Sequence, residues 1–346
     1  MQVPYEAEYP RREHRVEFPY SFLKGSLREY FEDINQKLGA GGYSRKTFLQ
    51  STKEFFDKLS KQITNLPKIT TIEEFENIIK AFNNAINETR KVNGNDVIKE
   101  LLKIWSEEQL EKQKSRATSD YGRIKAVESS SLGQIKGKGV ENFIKNIFTT
   151  LNFERIKFIE APVLDDLIGA ADIYMVVQLE NEVVVFAIDI TGALDKSSSL
   201  IKLNKEDGNY PISLKILQQK IDVYRIEFAL NDPNMKLSFE EIEGILKYAV
   251  RILKNDFLLN YFKRYKNDPR YKDGIGFKDF VDFLNSNLYD QYLKNILLGI
   301  FSFILLKNII LEAEYITKED IIKLGNCVKI MDQELNKMQQ VSGTVH

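Results

Sequence analysis

The stretch that most constrains this chain is Gly169 to Thr191, GAADIYMVVQLENEVVVFAIDIT, where two strongly β-forming runs meet across a minimal turn. One arm runs from Asp172 to Gln178 and the other from Val183 to Asp189, and both are rich in the β-branched and aromatic residues that strands select. Glu180 and Asn181 supply the two-residue turn, because asparagine tolerates the positive φ such turns require. Pairing Leu179 with Glu182 and counting outward sets Asp172 directly opposite Asp189, with both side chains on one face. Like charges placed opposite one another repel. The end of the hairpin must therefore open onto water or hold a cation. A divalent ion suits it, since Mg²⁺ takes one or two carboxylates and fills its other positions with water and substrate phosphate.

Composition narrows the chemistry. Lys+Arg 49 against Asp+Glu 50 leaves a net charge of -1, so any nucleic-acid surface must be local rather than global. A single cysteine, Cys327, and two histidines, His14 and His346, argue against a His/Cys zinc site, a Cys-His nucleophile pair and an internal disulfide. They also point to a reducing, cytoplasmic setting. The first residues, MQVPYEAEYPRREHR, lack the apolar run of a secretory signal. The most apolar run, Ile296 to Leu306, is interrupted by Lys307 and Asn308 well short of the roughly 20 residues of a membrane span. It reads as a buried helix, with no membrane partner.

Four units follow along the chain: 1–117, a helical module; 118–138, a basic linker; 139–232, an α/β core; 233–346, a second helical module. The fold class is thus α+β, an α/β core in a mostly helical chain. In the first module Ser44 caps a helix after the Gly39-Ala-Gly-Gly42 turn, and Thr71 with Glu74 has capping-box spacing. Lys112 to Lys145 carries eight basic residues against three acids, suited to salt-sensitive phosphate contacts. Within it, Gly133 to Gly139 resembles a phosphate loop, but its spacing is one short and no Ser or Thr follows the lysine. Gly139 to Leu151 is an amphipathic helix with Glu141 in its first turn, where the helix dipole favours an acid. Arg155 to Glu160 is a short strand, and Asp165 and Asp166 fall in a loop before the hairpin. A helix from Ser213 to about Lys220 and a strand from Val223 to Leu230 complete the core. Ser238 and Glu241 form a second capping box opening a helix to about Arg264, and further helices cover Phe277 to about Tyr315 and Thr317 to about Gln340.

A helix bearing an acid, a strand, a hairpin with aspartate at the start of one arm and near the end of the other, then helix and strand: this order resembles the core of the PD-(D/E)XK nuclease superfamily, over about Gly139 to Leu230. The resemblance implies a restriction-endonuclease-like mixed four-stranded sheet flanked by helices, using Mg²⁺ or Mn²⁺ to hydrolyse phosphodiester bonds. Asp172 resembles the motif aspartate, preceded here by Gly169-Ala-Ala instead of proline. Asp189 resembles the second metal ligand, and Glu141 the acid that many members place beside the metal. Asp189-Ile-Thr191 departs from the pattern, with threonine where the family has lysine. That lysine is understood to orient the attacking water and stabilise charge on phosphate, a task needing a cation. Members are known in which a lysine reaches the same space from the following helix. Lys215 is the candidate here, ahead of Lys196 and Lys202.

Two functions are therefore expected of such a chain. One is a Mg²⁺-dependent DNA nuclease using Glu141, Asp172, Asp189, Thr191 and Lys215, with Asp172, Asp189 and Glu141 as metal ligands. The other is an inactive nuclease-like binding or structural protein acting through its helical modules. The expected partner is nucleic acid, DNA in the first instance, with homo-oligomerisation through the C-terminal helices.

Overall fold

The computed structural model describes residues 18–41, 43–63, 66–116, 139, 141–168, 171–191, 202–203, 211–217, 220–229, 235–313 and 317–341. The first module consists of α1 (Tyr20–Gly39), α2 (Arg45–Gln62), α3 (Ile72–Thr89), a small hairpin of β1 (Lys91–Val92) and β2 (Asn95–Asp96), and α4 (Val97–Arg116). Its helix starts are those the sequence predicts. The Ser44 hydroxyl accepts from the Thr47 N–H, and Thr71 and Glu74 satisfy each other's backbone donors in a complete capping box. The hairpin turns through Asn93 and Gly94 at φ 51° and 84°, the left-handed pair that an Asn-Gly turn supplies at least cost.

The core contains α5 (141–149), β3 (Ile156–Glu160), α6 (Val163–Leu167), β4 (Ile173–Gln178), β5 (Val183–Thr191), β6 (Lys202–Leu203), α7 (Ile212–Lys215) and β7 (Asp222–Ala229). Its sheet has the order β3-β4-β5-β7-β6. The first three strands are antiparallel, β7 runs parallel to β5, and β6 is antiparallel on the far edge of β7. The hairpin has the anticipated register, from Ile173↔Ile188 to Gln178↔Val183, closed by Leu179 N–H to the Glu182 carbonyl at 2.9 Å. A slip of one residue would exchange its two faces. Ile173, Met175, Val177, Val184, Phe186 and Ile188 point to one side, and Tyr174, Val176, Val183, Val185 and Ala187 to the other. Both sets are apolar because both faces are covered.

The C-terminal module comprises β8 (Lys236–Leu237), α8 (Phe239–Leu253), α9 (Phe257–Phe262), two short 3-10 turns, β9 (Ile275–Gly276), α10 (Phe277–Asn287), α11 (Gln291–Leu311) and α12 (Lys318–Val341). The helix beginning at the Ser238–Glu241 capping box stops at Leu253, not near Arg264, because Lys254 adopts left-handed backbone at φ 52° and ends it. The span from Phe277 to Tyr315 divides at Leu288, whose extended backbone separates α10 from α11. Asp165 and Asp166 lie in the one-turn helix α6 and not in a loop, and the helix predicted from Ser213 is the single turn α7. α11 is long and apolar enough to cross a membrane, but 78% of its most apolar stretch is buried in the protein, as befits a core helix.

The modules close the two sides of one sheet. The N-terminal helices share a core with the Tyr174 and Val185 face, whereas α5 and the C-terminal helices share one with the Met175 and Phe186 face. Gln178 at the end of β4 latches the first layer in place, donating to the Thr70 carbonyl at 2.6 Å and accepting from Ile72 N–H at 2.9 Å. Across the other layer, Lys323 of α12 bridges Asp222 of β7 and Glu182 beside the hairpin turn. The basic linker 118–138 lies outside the described residues.

One crossing in the second layer bears on the site. A Cβ on Gly299 of α11 would stand 2.9 Å from the Ile147 carbonyl oxygen and 3.0 Å from Leu151 Cδ2, so glycine lets α11 touch the backbone of α5. Gly299→Ala is expected to cost about 1–3 kcal/mol through this overlap. Chemical denaturation against wild type measures it, and an unchanged midpoint would show that α5 gives way freely.

Candidate functional site

The site forms where chain segments from both layers meet at one end of the β4/β5 hairpin. α5 is positioned by its apolar stripe, Ile144, Ile147 and Phe148, all fully buried against the sheet. Glu141 and Lys145 stand one turn apart on that helix, and their side chains are joined at 2.6 Å. From the opposite layer, α6 presents Asp166. Between them comes Asp172, the residue before the first paired position of β4. Its N–H donates to the Ile188 carbonyl at 2.8 Å and its own carbonyl accepts from Ala161 N–H at 3.2 Å, so its backbone is fixed between β3 and β5.

Carboxylate oxygens of Glu141, Asp166 and Asp172 lie within 4.8 Å of one another. Asp172 Oδ2 accepts from Ile190 N–H at 2.6 Å, and Oδ1 stands 3.8 Å from Lys145 Nζ. Burial raises the Asp172 carboxyl to about 8; the Ile190 N–H opposes the rise, Glu141 and Asp166 add to it, and Lys145 opposes it. Burial works against the charge on Lys145, but its bond to Glu141 and the fields of Asp172 and Asp166 outweigh that and raise its pKa. The ammonium is therefore retained, and three carboxylates against one cation leave two negative charges when all are ionised.

The arrangement can hold a metal ion. Ligand oxygens around Mg²⁺ at 2.0–2.1 Å stand roughly 2.9–4.2 Å apart, so the trio would need to close only slightly, and the residual charge matches a divalent ion.

α6 is itself anchored by a buried network one residue from Asp166. Asp165 is fully buried, accepting from Tyr174 Oη–H at 2.7 Å, from Ser213 N–H at 3.2 Å and from the Ser213 hydroxyl. Burial pushes its carboxyl up to about 6 against these donors. The network ties α6, β4 and α7 together.

Of the predicted residues, Glu141 and Asp172 come together as expected. Asp189 does not join the trio, although the hairpin register and the shared face are as anticipated. It accepts from Arg225 Nη2 at 2.9 Å, because the parallel pairing of β5 with β7 aligns Ala187 with Arg225 and Asp189 with Glu227 and so sets the guanidinium beside both acids. Asp166 takes the third place instead. Lys215 points elsewhere too: its ammonium is paired with Asp57 of α2 at 2.5 Å, joining α7 to the first module. Thr191 is the last residue of β5, its backbone registered with Ala229; its side chain, like that of Lys202, and the whole of Lys196 lie outside the description. Sequence reasoning missed Lys145, which the i, i+4 spacing from Glu141 signals, and Asp166, for which no local pattern exists. No protein-family model, curated protein or solved structure matches this chain.

Proposed function

We propose that this chain is a metal-dependent nuclease acting on DNA, with Mg²⁺ or Mn²⁺ held by Asp172, Asp166 and Glu141. The observation that carries the reading is the convergence of these three carboxylates with Lys145 at the end of the hairpin. The connectivity is in keeping with it: α5, three antiparallel strands, α7 and a strand parallel to the third follow the order that the resemblance to the PD-(D/E)XK superfamily implies, but α6 is inserted and β6 makes the sheet five-stranded where the resemblance implies four. A bound divalent ion supplies Lewis acidity and a water acidified toward neutral pH. Asp172 is oriented for its part by Ile190 N–H, which fixes one oxygen and leaves the other toward α5. Lys145 keeps its proton and, 3.8 Å from Asp172, brings to the site a positive charge of the kind that Thr191 lacks. Its ammonium can donate to a phosphate oxygen or to the attacking water.

The test is cleavage of linear, supercoiled and single-stranded DNA in Mg²⁺ and Mn²⁺ beside an Asp172→Ala variant. Metal-dependent cutting by wild type alone is the expected result. A wild type that neither cuts nor melts higher with metal would overturn it, leaving the second reading, a nuclease-like binding protein without chemistry. One observation favours that alternative: Lys145 already neutralises part of the acidic cluster from within. Lys145→Gln separates the two roles. Cleavage is expected to fall on the order of 10²–10³-fold, the usual loss for a donor to developing charge, while metal still raises the melting temperature. A variant cutting at the wild-type rate would remove Lys145 from the mechanism.

A further inference from the structure

Residues 251 to 272, from the end of α8 through α9 and the two 3-10 turns, are, like Lys112 to Lys145, rich in positive charge in a chain that is balanced as a whole. Arg251, Lys254, Lys263, Arg264, Lys266, Arg270 and Lys272 outnumber the stretch's two acids, Asp256 and Asp268, within a protein of net charge -1. All seven cations are exposed. Aromatic rings alternate with them. Leu258 and Phe262 bury one side of α9, and the other side carries Phe257, 54% exposed and stacked on Tyr261 at 5.9 Å. The Arg264 guanidinium lies over the same Tyr261 ring at 5.0 Å. Farther on, Tyr265 packs against Tyr271 at 5.4 Å, and Arg270, held by Asp268, covers Tyr271 at 5.3 Å. The segment leads directly into α10, whose Phe277 ring meets Phe143 of α5 at 6.4 Å, two residues from Glu141. Five residues past its end the chain thus touches the helix that carries Glu141 and Lys145.

We infer that this aromatic and basic surface binds a single-stranded nucleic acid, its backbone along the exposed cations and a base stacked on Phe257. The inference rests on the nuclease reading for the role of the strand as substrate; the binding itself stands on the surface. Cations alone would suit any polyanion, but rings interleaved with cations suit a strand whose bases are unpaired, since every base offers a π-face. A duplex offers its backbone and groove edges and gives Phe257 no base face.

The experiment uses the full chain in EDTA, so that metal and cleavage do not enter, with a fluorescent 20-mer of dT, the corresponding duplex, and vesicles rich in acidic lipid. Wild type is expected to bind the single strand tightest, with affinity falling steeply as salt rises. Phe257→Ala should weaken single-strand binding by about 10-fold and leave duplex binding unchanged. Lys263→Gln/Arg264→Gln/Lys266→Gln should weaken both and lower the salt slope by about 2, as expected when three phosphate contacts are lost. Circular dichroism checks that each variant folds. Equal or tighter duplex binding, a preference for the vesicles, or wild-type affinity in both variants would overturn the inference. Single-strand binding in EDTA without any cleavage in Mg²⁺ would uphold this surface and overturn only the nuclease reading.

Discussion

In metal-free buffer at pH 8, Asp172→Asn is expected to be more stable than wild type, and in Mg²⁺ to lose cleavage by on the order of 10³-fold. Both effects follow from one carboxylate. Its folded pKa is raised to about 8 by burial and by Glu141 and Asp166, whereas in the unfolded chain it titrates near the ordinary value of about 3.9. Between those limits the folded state binds the extra proton. Stability is therefore full below about pH 4, falls as pH rises through the window and levels off above about pH 8. Asparagine does not titrate, yet its amide oxygen can still accept from Ile190 N–H. The gap between variant and wild type should accordingly open from pH 4 to pH 8 and reach on the order of a few kcal/mol. Asp165 slopes the same way up to about pH 6, but it is present in both proteins and cancels in the difference. Denaturant unfolding across this range measures the gap; parallel curves would show that Asp172 is not under the strain that its neighbours imply. Added Mg²⁺ should reverse the order by stabilising wild type alone.

Asp165→Ala should be strongly destabilising, costing about 2–4 kcal/mol, because it removes from inside the core the acceptor that Tyr174 Oη, Ser213 Oγ and Ser213 N–H share, although the two hydroxyls, 3.0 Å apart, keep their contact with each other. Tyr174 is fully buried in β4 and cannot turn to water. The loss should extend to the site, since the network holds α6 and with it Asp166. Metal-induced stabilisation should weaken in parallel with the shift in denaturation midpoint. Asp165→Asn, which keeps one acceptor oxygen, should lose less on both counts. An alanine variant with wild-type stability would mean that α6 is held by its apolar contacts, Leu164 and Leu167, and not by the carboxylate.

Both predictions turn on residues of very different visibility. The hairpin was legible because everything that determines it is local: β-branched arms, a two-residue turn and a period of two that sets register and face together. The capping boxes at Thr71 and Ser238 were legible for the same reason, each needing only two side chains three residues apart. Boundaries failed where one residue's backbone decided them, as at Lys254, whose left-handed φ no neighbouring residue type requires.

The site was legible by halves. Glu141 and Asp172 could be chosen from the order of elements, since the helix and hairpin that carry them are each readable. Asp189 was set correctly on its strand and face, but its partner came from β7, across a parallel pairing whose register has no local signal. Lys215 was diverted by Asp57, 158 residues away. Thus the sequence by itself determined the hairpin, its register, the capped helix starts at Ser44, Thr71 and Ser238, and two of the three acids that stand at the sheet end. Only the tertiary structure decided which of those acids meet, because α5 and α6 approach from opposite faces of the sheet and are held there by separate cores. The convergence of Glu141, Asp166 and Asp172 around Lys145 is a property of that three-layer packing, and short-range pattern carries no information about it.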